Sequence, residues 1–199
     1  MDWLVNIWDA AFAQSWIEWI ALVSSIIYVI LAAKENVWCW PFGIIGVLAS
    51  LYLFIQGKLF LDAGLQIYYL VMSIYGWWSW GKTLNVTKLN ISTKKPLWHL
   101  TVISLGFAAV YPLGLISQHF GGSLPFVDAL TTAFALLATY MTAKKILENW
   151  LYWIVTDIVC IWVYWSKDYQ LLSLLYLIFS IVAIYGWLEW RKKIPDQTV

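Results

Sequence analysis

Ile74-Tyr75-Gly76-Trp77-Trp78-Ser79-Trp80 returns 110 residues later as Ile184-Tyr185-Gly186-Trp187-Leu188-Glu189-Trp190. Both copies read Ile-Tyr-Gly-Trp-x-x-Trp, and both run on into a basic residue. A second pair lies upstream. Glu35-Asn36-Val37-Trp38-Cys39-Trp40 resembles Glu148-Asn149-Trp150-Leu151-Tyr152-Trp153, at an offset of 113. Two matches in the same order, at nearly one spacing, mark an internal duplication. The unequal offsets predict a three-residue gap between the copies.

The apolar runs around these motifs define what was duplicated. A membrane-crossing helix needs about 20 mostly apolar residues. Seven stretches qualify: 16–33, 37–56, 61–80, 98–117, 126–143, 149–166 and 169–190. Composition agrees, since 62% of the 199 residues are hydrophobic and only 12% charged, against about a quarter charged in soluble domains. The expectation is an all-α membrane protein with seven transmembrane helices in one domain, 16–190. It divides into a repeat at 16–80, a linking helix at 98–117 and a repeat at 126–190. A three-helix unit starts and ends on opposite sides of the membrane. One linking helix restores the starting side, so the two units run parallel in a 3+1+3 arrangement. Such repeats hold substrate near the bilayer midplane, at their interface.

Charge sets the orientation. Lys58 and Lys167 stand alone on one side, with the N-terminus. The other side carries Lys34, Lys82, Lys88, Lys94, Lys95, Lys144, Lys145, Arg191, Lys192 and Lys193. The basic side is cytoplasmic, which places the N-terminus outside and the C-terminus inside. Residues 1–15 are expected to form an interfacial segment on the outer surface, and 191–199 a cytoplasmic tail. The first fifteen residues hold Asp2 and Asp9 but no Lys or Arg, which is not a signal-peptide pattern.

Several function classes lack their parts. Net charge is +1, so no basic surface points to nucleic acid. Cys39 and Cys160 sit in apolar runs and read as buried thiols, with no metal-binding cluster. Walker A, HExxH and GxSxG motifs are missing. His99 and His119 stand apart at span boundaries. The last span has no lysine for a retinal Schiff base. The expectation is no enzyme and no cofactor.

The polar residues inside the spans are the candidates for a site. Asp157 lies about two turns inside an apolar run, and buried carboxylates in membrane helices face cavities or partners. Trp150, Trp153 and Asp157 share one helical face, and two indoles there would give a cavity stackable walls. Asp62, Gln66, Tyr69, Ser73 and Gly76 form a second stripe. At an offset of 110, Gln66 corresponds to Tyr176, Tyr69 to Phe179 and Ser73 to Ala183. The expected substrate-binding set is Asn36, Trp40, Gln66, Tyr69, Asn149, Trp150, Trp153, Asp157 and Tyr176. Trp77, Trp80, Trp187 and Trp190 read instead as an aromatic belt at the cytoplasmic boundary. The offset of 113 pairs Trp150 with Val37 and Asp157 with Ile44. On that register they are the two residues without a counterpart. Pro41 and Gly43 early in the second span suit a moving part.

Trp40-Pro41-Phe42-Gly43-Ile44-Ile45-Gly46, Leu65-Gln66-Ile67-Tyr68-Tyr69, Ser73-Ile74-Tyr75-Gly76-Trp77 and Trp150-x-x-Trp153-x-x-x-Asp157 together resemble the PnuC family of bacterial vitamin transporters. The resemblance covers roughly residues 20–192. It implies a 3+1+3 fold similar to a full-length SWEET sugar transporter, and a homotrimer in the bacterial inner membrane. It implies import of nicotinamide riboside by facilitated diffusion, with a separate cytoplasmic kinase trapping the product. Sister branches carry thiamine or riboflavin, and those cargoes are the alternatives. A seven-helix sensor is a further alternative, but the 81–97 loop and the tail offer little surface for a partner.

Overall fold

Turn chemistry fixes where each helix begins and ends. The computed structural model describes residues 14–57, 59–81, 89–121 and 123–194. Among these residues are seven helices: α1 (Trp16–Ala33), α2 (Cys39–Gln56), α3 (Phe60–Trp80), α4 (Pro96–His119), α5 (Pro125–Ala143), α6 (Asn149–Ser166) and α7 (Gln170–Lys192). Each coincides with an expected span. Ser15 and Glu18 close a reciprocal capping box on α1. Pro96 and Pro125 open α4 and α5, where proline loses no helical hydrogen bond. The α1 and α5 ends are alike. Glu35 (φ 61°) and Lys145 (φ 51°) both adopt the left-handed conformation. The next N–H then reaches back into the last turn, Asn36 to the Leu31 carbonyl and Ile146 to that of Met141, both 2.9 Å.

Among the described residues, five helices are long and apolar enough to cross a membrane. The two that fall short, α3 and α6, are the ones that carry Gln66, Tyr69, Ser73, Asn149 and Asp157. Residues 1–13 of the expected interfacial segment and 195–199 of the expected tail lie outside the described residues.

Helix contacts repeat across the two halves. α1 packs on α2 as α5 packs on α6, and α2 on α3 as α6 on α7. Between halves, α1 meets α7 and α5 meets α3. α4 packs on α5 and leaves Leu97, Leu105, Phe107 and Tyr111 exposed.

Details of the packing correct the expected register. Trp40 lies against Gly76, in the space a Cβ would fill. Trp150 does the same at Gly186, its Cε2 2.7 Å from the Cβ position. The Trp80 indole N–H donates to the Ala143 carbonyl (3.2 Å), and that of Trp190 to the Ala32 carbonyl (3.1 Å). Each bond joins one half's third helix to the end of the other half's first. The offset is therefore 110 throughout, with no gap. Trp40 matches Trp150, not Trp153, and Asn149 matches Cys39, not Asn36. Trp153 and Asp157 correspond to Gly43 and Val47. The mismatch arose because Glu148-Asn149 repeats the Glu35-Asn36 pair three residues later in its own half, with a tryptophan four residues after each asparagine.

Trp40, Trp80, Trp190 and Trp150 contact in that order, with ring centroids 5.2, 5.9 and 5.3 Å apart. Trp80 and Trp190 are buried, Trp190 fully, and neither belongs to a lipid-facing belt. Trp77 does face outward. Beside this layer, Lys145 Nζ lies 2.6 Å from Glu35 Oε1, Lys193 Nζ lies 3.1 Å from Oε2, and Lys145 sits 4.7 Å above the Trp80 ring. Glu35 and Lys145 are equivalent positions of the two halves. Burial pushes the Glu35 carboxyl up, but hydrogen bonds and charge from Lys145 and Lys193 outweigh it and hold it below the ordinary carboxylate value. Ser92 docks on the α5–α6 turn. Its N–H donates to the Lys145 carbonyl (2.9 Å), and its carbonyl accepts from Leu147 (2.8 Å).

Candidate functional site

Every helix except α4 lines a cavity of about 440 Å³ between the halves. Ala32, Ser73, Thr142, Trp150 and Ala183 form one end of it. The four-tryptophan layer and the Glu35–Lys145–Lys193 cluster stand beyond that end, toward the lysine-rich face. At the other end are Asp62 and Asp128, from the first turns of α3 and α5, with Tyr164 late in α6.

The walls combine aromatic faces with hydrogen-bonding groups. Trp153 is set in place through its edge. Its Nε1–H donates to Thr142 Oγ1 (3.2 Å), which lies 3.0 Å from Asn149 Oδ1 and 2.9 Å from the Ala138 carbonyl. One of those two oxygens takes the single hydroxyl proton. Asn149 Nδ2 in turn donates to the Ile146 carbonyl (2.7 Å). With its edge occupied, Trp153 has its ring for the cavity. Further along α6, Tyr164 stacks on Tyr176 of α7 at 5.3 Å with their planes 13° apart. Gln66, Tyr69 and Ser73 face in along α3.

Asp157 is 3% exposed and lines the cavity. Among the described residues none donates a hydrogen bond to it. The hydroxyl of its neighbour Thr156 is turned to the Tyr152 carbonyl (2.8 Å). The charged residues along the described lining are Asp62, Asp128 and Asp157, without a lysine, arginine or histidine.

Six expected residues meet at this cavity: Gln66, Tyr69, Trp150, Trp153, Asp157 and Tyr176. Three do not. Asn149 is 0% exposed and acts behind Thr142 as a strut for Trp153. Trp40 is wedged among Tyr28, Trp80 and Gly76. Asn36 is exposed and accepts from the Trp38 N–H (3.0 Å), which starts α2. Trp150 shows the cavity only a margin, since most of its ring lies on Gly186 and Trp190.

Sequence reading missed the α5 wall. Asp128, Thr131, Thr132, Ala135, Thr139 and Thr142 all line the cavity. Their spacing of three and four residues marks a polar helical stripe. The signal was present, but threonine is common enough in membrane helices to pass as packing. Tyr28 was missed as well. It fills the space over Gly43, a ring carbon 3.0 Å from the Cβ position, where the second half has Ala138 and Trp153. The two halves thus place their bulk on different helices.

Comparisons with known proteins follow the same outline. The profile of the nicotinamide mononucleotide transporter family matches residues 15–192. The nicotinamide riboside transporter PnuC of Escherichia coli is 24% identical, over 92% of this chain and 88% of its own. The riboflavin/roseoflavin transporter RibM of Streptomyces davaonensis is 24% identical, over 96% and 92%. A crystal structure of the vitamin B3 transporter PnuC superposes with a TM-score of 0.76 over 98% of this chain and 91% of that one. At 21% identity, that likeness shows the fold.

Proposed function

The chain belongs to the nicotinamide mononucleotide transporter family, and from that premise we propose that it imports nicotinamide riboside across a bacterial inner membrane. The observation that carries the choice of cargo is the cavity, with aromatic walls, an amide and carboxylates but no basic residue along its described lining. Indole and phenol faces attract a flat cationic ring. Gln66 is placed to pair with a carboxamide, and carboxylates accept from ribose hydroxyls. A phosphate would enter among like charges with nothing to neutralise it. The riboside therefore fits this lining better than the mononucleotide in the family's description.

The halves form a 3+1+3 parallel-repeat arrangement of the full-length SWEET type, with the N-terminus outside and the C-terminus in the cytoplasm. On that orientation Asp62 and Asp128 mark the outer mouth, and the tryptophan layer with its ion pairs closes the inner side. Rocking of the halves breaks that layer and opens the cavity inward. Transport is facilitated diffusion, and a separate cytoplasmic kinase retains the product. Three copies associate in the membrane, a reading that rests on the resemblance to the PnuC family.

Ligand binding to the purified protein tests the cargo. Nicotinamide riboside is compared with nicotinamide mononucleotide, thiamine and riboflavin. The riboside should bind and the mononucleotide should not. Tight binding of riboflavin or thiamine, with no response to the riboside, overturns the assignment; riboflavin is included because RibM is a relative.

A further inference from the structure

We infer that Asp157 is the residue that selects for positive charge on the cargo ring, so that the cavity distinguishes a cationic vitamin from a neutral molecule of the same shape. The inference rests on the riboside reading and names what in the cavity enforces it.

Three observations place the selection at Asp157. It is a carboxylate 3% exposed, facing the cavity, and no described residue donates to it. Burying a carboxylate in that state is expensive unless a cation or donor completes it. No lysine, arginine or histidine lies along the described lining to do so. Along that lining, an entering cargo is the group that can bring a positive charge to it. Its position points the same way, because Asp157 lies on the same face as Trp153, one turn further along α6. A flat ring resting on the Trp153 indole has its edge beside the carboxylate. Asp62 and Asp128, in the first turns of α3 and α5, sit at the mouth instead.

The duplication supplies the third observation. The equivalent of Asp157 in the first half is Val47, and Val47 also lines the cavity. The halves therefore present one deep carboxylate, on one side only. A ring carrying a single positive charge has one place to put it, which fixes orientation as well as charge.

The test compares nicotinamide riboside with its 1,4-dihydro form. The two have nearly the same outline, but the reduced ring is neutral. Binding of both is measured on the purified wild-type protein and on Asp157→Asn, Asp157→Glu and Asp128→Asn. The readout is the ratio of the two affinities within each protein. That ratio cancels general losses and, between variants, cancels the weaker stacking of the reduced ring. Wild type should favour the cation by about tenfold or more. Asp157→Asn should bring the ratio close to one, while Asp157→Glu should keep most of it. If Asp157→Asn does not fold, Asp157→Ser carries the same expectation. An unchanged ratio in the neutral variants overturns the inference and leaves the riboside reading standing. A fall in Asp128→Asn as large as that in Asp157→Asn assigns the selection to the mouth and also overturns it. Wild-type protein that binds neither form overturns the riboside reading itself.

Discussion

Trp153 and Trp150 are one helical turn apart, yet the structure gives them different work. Trp150 spends its ring on Gly186 and Trp190. Trp153 is tied at its edge to Thr142 and keeps a face for the cavity. Trp153→Ala should weaken cargo binding by about 1–3 kcal/mol, the scale of one base–aromatic stack. Calorimetry on the purified protein checks this, and an unchanged affinity removes Trp153 from the site. Thr142→Val deletes the acceptor and leaves the indole N–H without a partner. It should lower affinity by about 1 kcal/mol, less than Trp153→Ala does. At this scale the sequence was informative wherever a residue type was costly. Asp157 and Gln66 stand out in apolar runs because the membrane makes them expensive. Asn149 stood out through the Glu-Asn motif, yet it is a strut. Cost reveals that a buried polar group has a partner, not whether the partner is cargo or protein.

Helix packing depends on the two indole-on-glycine contacts. No side chain fits at Gly186, because a Cβ would lie 2.7 Å from Trp150. Gly186→Ala should therefore destabilise the protein by about 1–3 kcal/mol, as overpacked cores do. A lowered thermal transition in detergent is the expected result. Trp150→Ala should cost more, about 3–5 kcal/mol, through the cavity it leaves. A variant of either kind with wild-type thermal stability would mean that α6 and α7 do not pack as described. The helices themselves were legible, since span length and apolar runs are set by the bilayer. The register of the upstream motif was not. In this segment the sequence favours the wrong alignment, since Glu, Asn and Trp all match at an offset of 113 and only Trp40 with Trp150 at 110, and the glycine beneath the ring decides for 110.

For the whole molecule, orientation is the first thing to measure. Single cysteines at Ser123 and at Lys95, with Cys39 and Cys160 replaced, should label differently in intact cells. A membrane-impermeant thiol reagent should reach position 123 and not position 95. The reverse pattern inverts the proposed topology and with it the outer mouth. The cross-half ion pair is the second. Glu35→Gln removes a carboxylate from a cluster in which the Lys145 side chain is 3% exposed, and should cost up to about 3 kcal/mol. The pH dependence has a definite sign. The Glu35 carboxyl is held below its ordinary value. Its contribution is therefore full above about pH 4.3 and is lost as the pH falls through the lower folded value. Thermal stability followed into acid should fall less steeply in Glu35→Gln than in wild type. Equal slopes would show that the pair carries no part of the acid sensitivity. The duplication was readable from the two Ile-Tyr-Gly-Trp-x-x-Trp motifs, whereas this ion pair was not. Its partners are 110 residues apart, and only the folded contact brings them together. Equivalent positions that touch must lie at the pseudo-symmetry axis between the halves. Two identical halves would bring the same residue to that axis twice, as two facing carboxylates or two facing ammonium groups. An attraction there requires the copies to differ, so neither half can serve as a partner for its own duplicate.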